Sequence, residues 1–198
     1  MKHRIITINR QFGSGGRTIG RQTAEQLGIP CYDQELIEKI AKESGFAEEY
    51  IAEKGEETPG GSHWLVNAIT SRTEFMTQDL LWEIQKKVVL ELAERGPSVM
   101  VGRCADYLLK EKHDCLTVFI HAELAKRAER IVRVYGEREE APEKRLRDKD
   151  KRRSAYYHFH TDQSWEAASN YHVSLDSGTL GIDTCTQILV NLYQMRQP

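Results

Sequence analysis

The feature that most constrains this chain is a glycine cluster set between a β-branched apolar run and a helical one. Ile5-Ile6-Thr7-Ile8 reads as a strand over 5–8, Gly13-Ser14-Gly15-Gly16 as a tight loop, and 17–27 as a helix that stops at Gly28. Glycines let successive backbone N–H groups turn the same way and approach an anion closely. The helix that follows adds the positive end of its dipole. A phosphate fits such a cradle. The common phosphate loop reads G-x-x-x-x-G-K-[ST], and this loop departs from it in either of two registers. Counted from the strand end, Arg10 replaces the first glycine and Gly16 the lysine. Counted from Gly16-Arg17-Thr18, Arg17 stands for the lysine and Gln11 for the first glycine. Either way a cation sits at or beside the expected place, and Thr18 offers a hydroxyl to phosphate or Mg²⁺. A cation at a helix N-terminus opposes the dipole, so a bound anion accounts for Arg17 better than simple exposure does.

Strand-like and helical stretches alternate along the rest of the chain. Residues 29–32 are short and strand-like, and Asp33 can cap a helix running to about Ser44. Residues 63–94 read as largely helical, with Leu81, Ile84, Val88 and Leu92 on one face. Strands are expected at 98–101, 115–120 and 171–175, and helices at 122–135 and 182–193. This alternation predicts an α/β fold with a parallel sheet covered on both faces.

Two stretches do not fit a core pattern. Residues 48–57 hold five acidic side chains and one lysine, and residues 144–153 hold seven basic side chains and two aspartates. They read as charged insertions standing off the sheet, where lids and substrate clamps are found.

At 198 residues, the chain is long enough to bury a core without covalent staples. Its net charge of −2 argues against a general nucleic-acid or membrane-surface binder. The four cysteines have neither C-x-x-C nor zinc-ligand spacing. The apolar run at 5–8 is too short for a secretory signal, and no stretch approaches a membrane span. A cytoplasmic location is the resulting expectation.

Asn9-Arg10-Gln11-Phe12-Gly13-Ser14-Gly15-Gly16-Arg17, taken with Gly28-Ile29-Pro30-Cys31-Tyr32-Asp33-Gln34-Glu35-Leu36-Ile37, resembles the cytidylate kinase-like family. The likeness continues through Val101-Gly102-Arg103-Cys104-Ala105-Asp106-Tyr107-Leu108-Leu109 and Asp150-Lys151-Arg152-Arg153-Ser154-Ala155-Tyr156-Tyr157. It ends at Leu175-Asp176-Ser177-Gly178-Thr179-Leu180-Gly181-Ile182-Asp183. The resemblance implies one P-loop kinase domain over 1–198. It would be a three-layer α/β sandwich around a five-stranded parallel sheet, with an acceptor-binding insertion at about 45–95 and a basic lid at about 136–160. It also implies transfer of the ATP γ-phosphoryl group, with Mg²⁺, to a nucleoside monophosphate such as CMP or dCMP.

The same resemblance distributes roles. Gly13, Ser14, Gly15, Gly16, Arg17 and Thr18 would cradle the donor phosphates, with Thr18 toward the metal, and Arg127 and Arg130 would belong to the lid's arginine pattern. Asp33 matches an aspartate that follows the second strand and would orient the acceptor; as a plain helix cap it would need no ligand. Arg103 matches the arginine of a Gly-Arg-Asp motif that binds the acceptor nucleotide, and Arg72 is a further acceptor-side candidate. Asp150 and Arg153, three apart on one helical face, match a D-x-x-R pair of the lid. Arg17, Asp33 and Arg153 are the expected catalytic residues. Two departures leave the acceptor open. Gln34-Glu35-Leu36 replaces a small Ser/Thr-Gly-Ala run, and Cys104 stands where the motif's aspartate would be, so a sugar contact would be lost or moved to Asp106. A kinase of a non-nucleotide metabolite, or a non-catalytic nucleotide-binding protein, are the alternatives. His158-x-His160 as a metal pair lacks a third ligand at suitable spacing. The basic and aromatic stretch 144–159 as a nucleic-acid surface conflicts with the overall charge.

Overall fold

The computed structural model describes residues 4–33 and 71–195, with the side chains of 71–81 excepted. The helix expected after Asp33, the acidic stretch 48–57, most of the expected acceptor insertion and the side chain of Arg72 lie outside the described residues.

Five strands form one sheet: β1 (Arg4–Arg10), β2 (Cys31–Tyr32), β3 (Ser98–Val101), β4 (Asp114–His121) and β5 (Val173–Asp176). Their order is β2-β3-β1-β4-β5, and every pairing is parallel. Strands of a parallel sheet are covered on both faces and read as unbroken apolar runs. β1 and β4 show this, since each is buried through its interior. In register, Ile8 lies beside Val101 on one side and Val118 on the other.

The helices divide between the two faces. Ile6, Ile8, Val99, Val101 and Val118 pack with Ile19 and Ala24 of α1 (Gly16–Leu27) and Leu189 and Tyr193 of α7 (Ile182–Met195). Ile5, Met100 and Cys115 pack with Val88, Val89 and Leu92 of α2 (Ser71–Glu94) and Leu109 of α3 (Ala105–Leu109). The remaining helices are α4 (Leu124–Tyr135), α5 (Pro142–Thr161) and the short α6 (Ser177–Leu180). The expected three-layer α/β architecture with its five-stranded parallel sheet is present.

Three local expectations change. The strand expected at 171–175 is Val173–Asp176, because Tyr171 leaves the ladder to donate its hydroxyl to the Trp165 carbonyl at 2.6 Å. α3 was not expected. The basic stretch 144–153 does not stand off the sheet: it is the first half of α5, and Leu146 packs with Ala128 and Ile131 of α4 and with Phe12 of the glycine loop. Further along α5, Tyr156 and Tyr157 join Cys104, Phe119, Trp165 and Tyr171 in an aromatic cluster.

Among the described residues, no helix is long and apolar enough to cross a membrane.

Candidate active site

All five strands run the same way, so their carboxyl ends share one edge of the sheet. β1 enters between β3 and β4, where the strand order reverses, and open α/β sheets hold ligands at such a point. The glycine loop leaves β1 there. Gly15 caps α1 in the left-handed region at φ +81°, and Gly16 is the first helical residue. This geometry selects the register counted from the strand end. Gly16 holds the usual lysine position, and Arg17 is one residue further into the helix. A Cβ on Gly16 would lie 2.6 Å from the Arg10 Cβ, so no side chain fits there. The loop is pinned from outside: Ser14 Oγ donates to the Gln11 carbonyl at 2.8 Å, and Ser177 Oγ donates to the Ser14 carbonyl at 2.6 Å.

Several arginines surround the loop, and they do different things. Arg130 reaches across from α4, with Nη2 donating to Thr18 Oγ1 at 3.1 Å and its guanidinium beside Gly15. Arg17, about half exposed, pairs through Nε with Asp33 Oδ2, linking α1 to the end of β2. Arg127 is largely buried. Its Nε donates to the Ala122 carbonyl at 2.9 Å, and its Nη1 to the Phe12 carbonyl at 3.1 Å and to Asp150 Oδ2 at 2.5 Å. The other oxygen of Asp150 accepts the Phe12 N–H at 2.6 Å. Burial pushes the Asp150 carboxyl above the usual range, against the pull of that N–H and of Arg127. Arg127 and Asp150 thus fasten α4 and α5 to the loop. Arg153 donates from Nη1 to the Arg10 carbonyl at 3.1 Å and lies over the Phe12 ring.

Beside the loop, toward β3, opens a shallow cleft lined by Asn9, Arg10, Arg103, Cys104, Arg153 and aromatic side chains that include Tyr156. The turn after β3 that delivers Arg103 has three successive residues in the left-handed region: Gly102 at φ +79°, Arg103 at +61° and Cys104 at +53°. Two non-glycine residues in a row there cost roughly 1–2 kcal/mol each. The Arg103 side chain is 8% exposed, and its Nη1 is sealed from solvent without a hydrogen-bond partner. A buried, unsatisfied guanidinium nitrogen is costly in isolation.

The wall behind the cleft is a polar network. Tyr157 donates its hydroxyl to Asp106 Oδ2 at 2.7 Å, Asn9 also bonds Asp106, and Asn9 Nδ2 donates to the Tyr171 hydroxyl at 3.2 Å. Asp106 is 5% exposed, and burial raises its carboxyl above the ordinary range. Its acceptors are spent inside this network rather than on the cleft. Cys104 packs among the aromatics, so no carboxylate takes the place of the motif's aspartate.

Thr18, the residue expected to face a metal, is engaged by Arg130 in this arrangement. Among the described residues, no group of three His, Cys, Asp or Glu side chains is placed to hold a cation.

The structure therefore brings Gly13, Ser14, Gly15, Gly16, Thr18, Arg17, Asp33, Arg127, Arg130, Arg103, Asp150 and Arg153 to one edge of the sheet. It separates those lining the cleft (Arg103, Arg153) from those bracing it (Arg127, Asp150). Sequence reasoning gave no site role to Arg10, Asn9 or Tyr156. For Arg10 the signal existed, since the strand-end register puts it at the first loop position.

Comparison with known proteins agrees with this geometry. The cytidylate kinase-like family matches residues 5–179. A cytidylate kinase of Methanopyrus kandleri is 26% identical over 156 residues, covering 74% of this chain and 70% of that protein. An uncharacterized protein from Eubacterium ventriosum has a solved structure of TM-score 0.74 at 23% identity, covering 98% of this chain and 99% of that one. Shikimate kinase from Acinetobacter baumannii, solved with shikimate, has TM-score 0.54 at 18% identity, covering 100% of this chain and 97% of that one. The fold is that of kinases that phosphorylate small molecules, and the sequence match over nearly the whole length decides the affiliation: the chain belongs to the cytidylate kinase-like family.

Proposed function

We propose that the protein transfers the γ-phosphoryl group of ATP to a nucleoside monophosphate, CMP or dCMP first among them. The observation that carries this reading is the buried, unpartnered Arg103 Nη1 beside a cleft that Asn9 and Arg10 line where β1 leads into the glycine loop. Donor and acceptor would then meet between the loop and β3.

The residues divide the work. Backbone N–H groups of residues 13–18 hold the donor phosphates, with Arg130 over the loop. Arg17 turns from Asp33 toward those phosphates when they enter, and Asp33 orients the acceptor. Arg103 binds the acceptor phosphate. Arg153, delivered by α5, stabilises charge on the moving phosphoryl group. An acceptor phosphate oxygen attacks the γ-phosphorus, the bond from that phosphorus to the β,γ-bridging oxygen breaks, and ADP leaves. A phosphate monoester is already ionised near neutral pH, so this acceptor needs no general base. The site is then one of positioning and positive charge, which phosphoryl transfer requires. Mg²⁺ would enter with the nucleotide rather than on Thr18. The segment at about 45–95 would be the acceptor-binding segment, and α5 with the turn before it the lid, within one kinase domain.

A second reading keeps the chemistry and changes the acceptor. Cys104 lies among aromatic side chains and offers no carboxylate to a sugar. A non-nucleotide metabolite with a hydroxyl acceptor would need a base, and among the described residues Asp33 at the end of β2 is a carboxylate placed for it.

The test is ADP release from Mg-ATP across nucleoside monophosphates and small hydroxylated metabolites, with Arg17→Ala as control. Stimulation by CMP or dCMP that the control loses is the expected result. Stimulation by a hydroxylated metabolite alone selects the second reading. ATP binding without turnover on any acceptor leaves a nucleotide-binding protein and defeats both.

A further inference from the structure

The usual phosphate loop carries its cation on a lysine at the start of the helix. Here that residue is Gly16, and the reason is steric. A Cβ at Gly16 would lie 2.6 Å from Arg10 Cβ and 3.0 Å from its Cγ. Arg10 is the first residue of the motif, where a glycine usually stands. Its side chain passes over Gly16 and continues to the turn after β3. A Cβ at Gly102 would lie 2.3 Å from Arg10 Nη1, 3.1 Å from its Cζ and 3.4 Å from its Nη2. Gly16 is thus kept bare beside the Arg10 stem, and Gly102, required by its φ of +79°, leaves room for the Arg10 guanidinium. The Arg10 backbone is held as well, since Arg153 Nη1 donates to its carbonyl at 3.1 Å.

Arg10 lines the same cleft as Arg103 and Arg153. β1 lies next to β3 in the sheet. A side chain that leaves the end of β1 and reaches Gly102 therefore spans the interval between the donor loop and Arg103. Three guanidinium groups around one cleft give it a positive potential.

We propose that Arg10 is the cation of this phosphate loop, holding the phosphoryl group in transfer from the strand end, as a lysine does from the helix start in the usual motif. The proposal rests on the kinase reading above and deepens it. The loop has lost its lysine and kept its charge. An arginine in this role grips two phosphoryl oxygens with its planar fork, where a lysine presents one point of charge. It would contact the γ-phosphoryl group and leave the α- and β-phosphates to the backbone of the loop.

The test compares the Mg²⁺ complexes of ADP and of the non-hydrolysable β,γ-imido analogue of ATP, by equilibrium binding. It uses the wild-type chain, Arg10→Met and Arg10→Lys. Methionine keeps an unbranched apolar stem over Gly16 and removes the charge. The expected result for Arg10→Met is a loss of about tenfold in affinity for the triphosphate, the scale of one charge-assisted contact, with ADP affinity held within twofold. Arg10→Lys should retain most of the preference. An equal loss for both nucleotides, or no loss for either, would overturn the proposal and make Arg10 a packing residue. A wild-type chain that binds neither nucleotide would instead defeat the kinase reading itself, and the two failures are told apart by that control.

Discussion

Arg127 Nη1 lies 2.5 Å from Asp150 Oδ2, and both side chains are largely withdrawn from water. Because Asp150 also accepts the Phe12 N–H, this pair joins α4, α5 and the glycine loop in one knot. Removing one member of a buried pair strands the other. Asp150→Ala should therefore destabilise the protein by about 3 kcal/mol, the low end for buried pairs because Asp150 retains some exposure. Arg127→Met combined with Asp150→Ala should cost less than the two single changes summed. Urea unfolding of the four proteins checks both statements.

The glycines of the loop make a second comparison. Gly15 and Gly28 both sit at positive φ, +81° and +66°. A Cβ on Gly15 would lie 2.3 Å from Ile182 Cδ1, whereas a Cβ on Gly28 meets nothing within 4 Å. Gly28→Ala should cost only the left-handed backbone strain, about 1 kcal/mol. Gly15→Ala also forces the tip of the Ile182 side chain to shift at the junction of α1 and α7 and should cost about 2 kcal/mol in all. ATP affinity should fall with Gly15→Ala and stay near wild type with Gly28→Ala. Thermal melts and nucleotide titrations of the two variants separate the effects.

Much of the fold was legible where local and global signals coincide. Residues 98–101 match β3 because a β-branched run is punctuated by Pro97 and Gly102. The α1 boundaries follow from the glycines at its ends. α5 was harder to read. Its first half carries one buried leucine among ten mostly charged residues, so periodicity gave no face, and Asp150 anchors it to Arg127 and Phe12, partners 23 and 138 residues away. The site divides in the same way. Arg103 and Arg153 were found by likeness to known motifs, and both line the cleft. Arg10 was visible as an oddity in the loop, but its meaning depends on Gly102, which only the adjacency of β1 and β3 brings near.

Arg103 gives a kinetic prediction. Its buried Nη1 and its strained turn are consistent with a group placed for the acceptor rather than for stability. Arg103→Ala should raise the acceptor KM by at least tenfold while the ATP KM changes little. Arg103→Gly should show the same KM defect with better stability, because glycine relieves the φ of +61°. Steady-state kinetics with each substrate varied, together with unfolding curves, decide the matter. An unchanged acceptor KM in both variants would remove Arg103 from the acceptor site.

Asp106 gives the last prediction, a dependence of stability on pH. Burial, the largest influence, raises its carboxyl above the ordinary 3.8, and the hydrogen bonds from Tyr157 and Asn9 offset only part of that rise. A carboxyl raised on folding binds its proton more tightly in the native state than in the unfolded chain. Its favourable contribution is present in full below 3.8 and is lost as pH rises through the native value. Asp106→Asn removes this titration. The stability of the wild-type chain relative to Asp106→Asn should therefore fall as pH rises above 3.8 through the acidic and neutral range. Urea unfolding of both proteins at intervals across the range measures the difference directly. A difference that rises with pH would mean that the Tyr157 and Asn9 bonds to the carboxylate outweigh its burial.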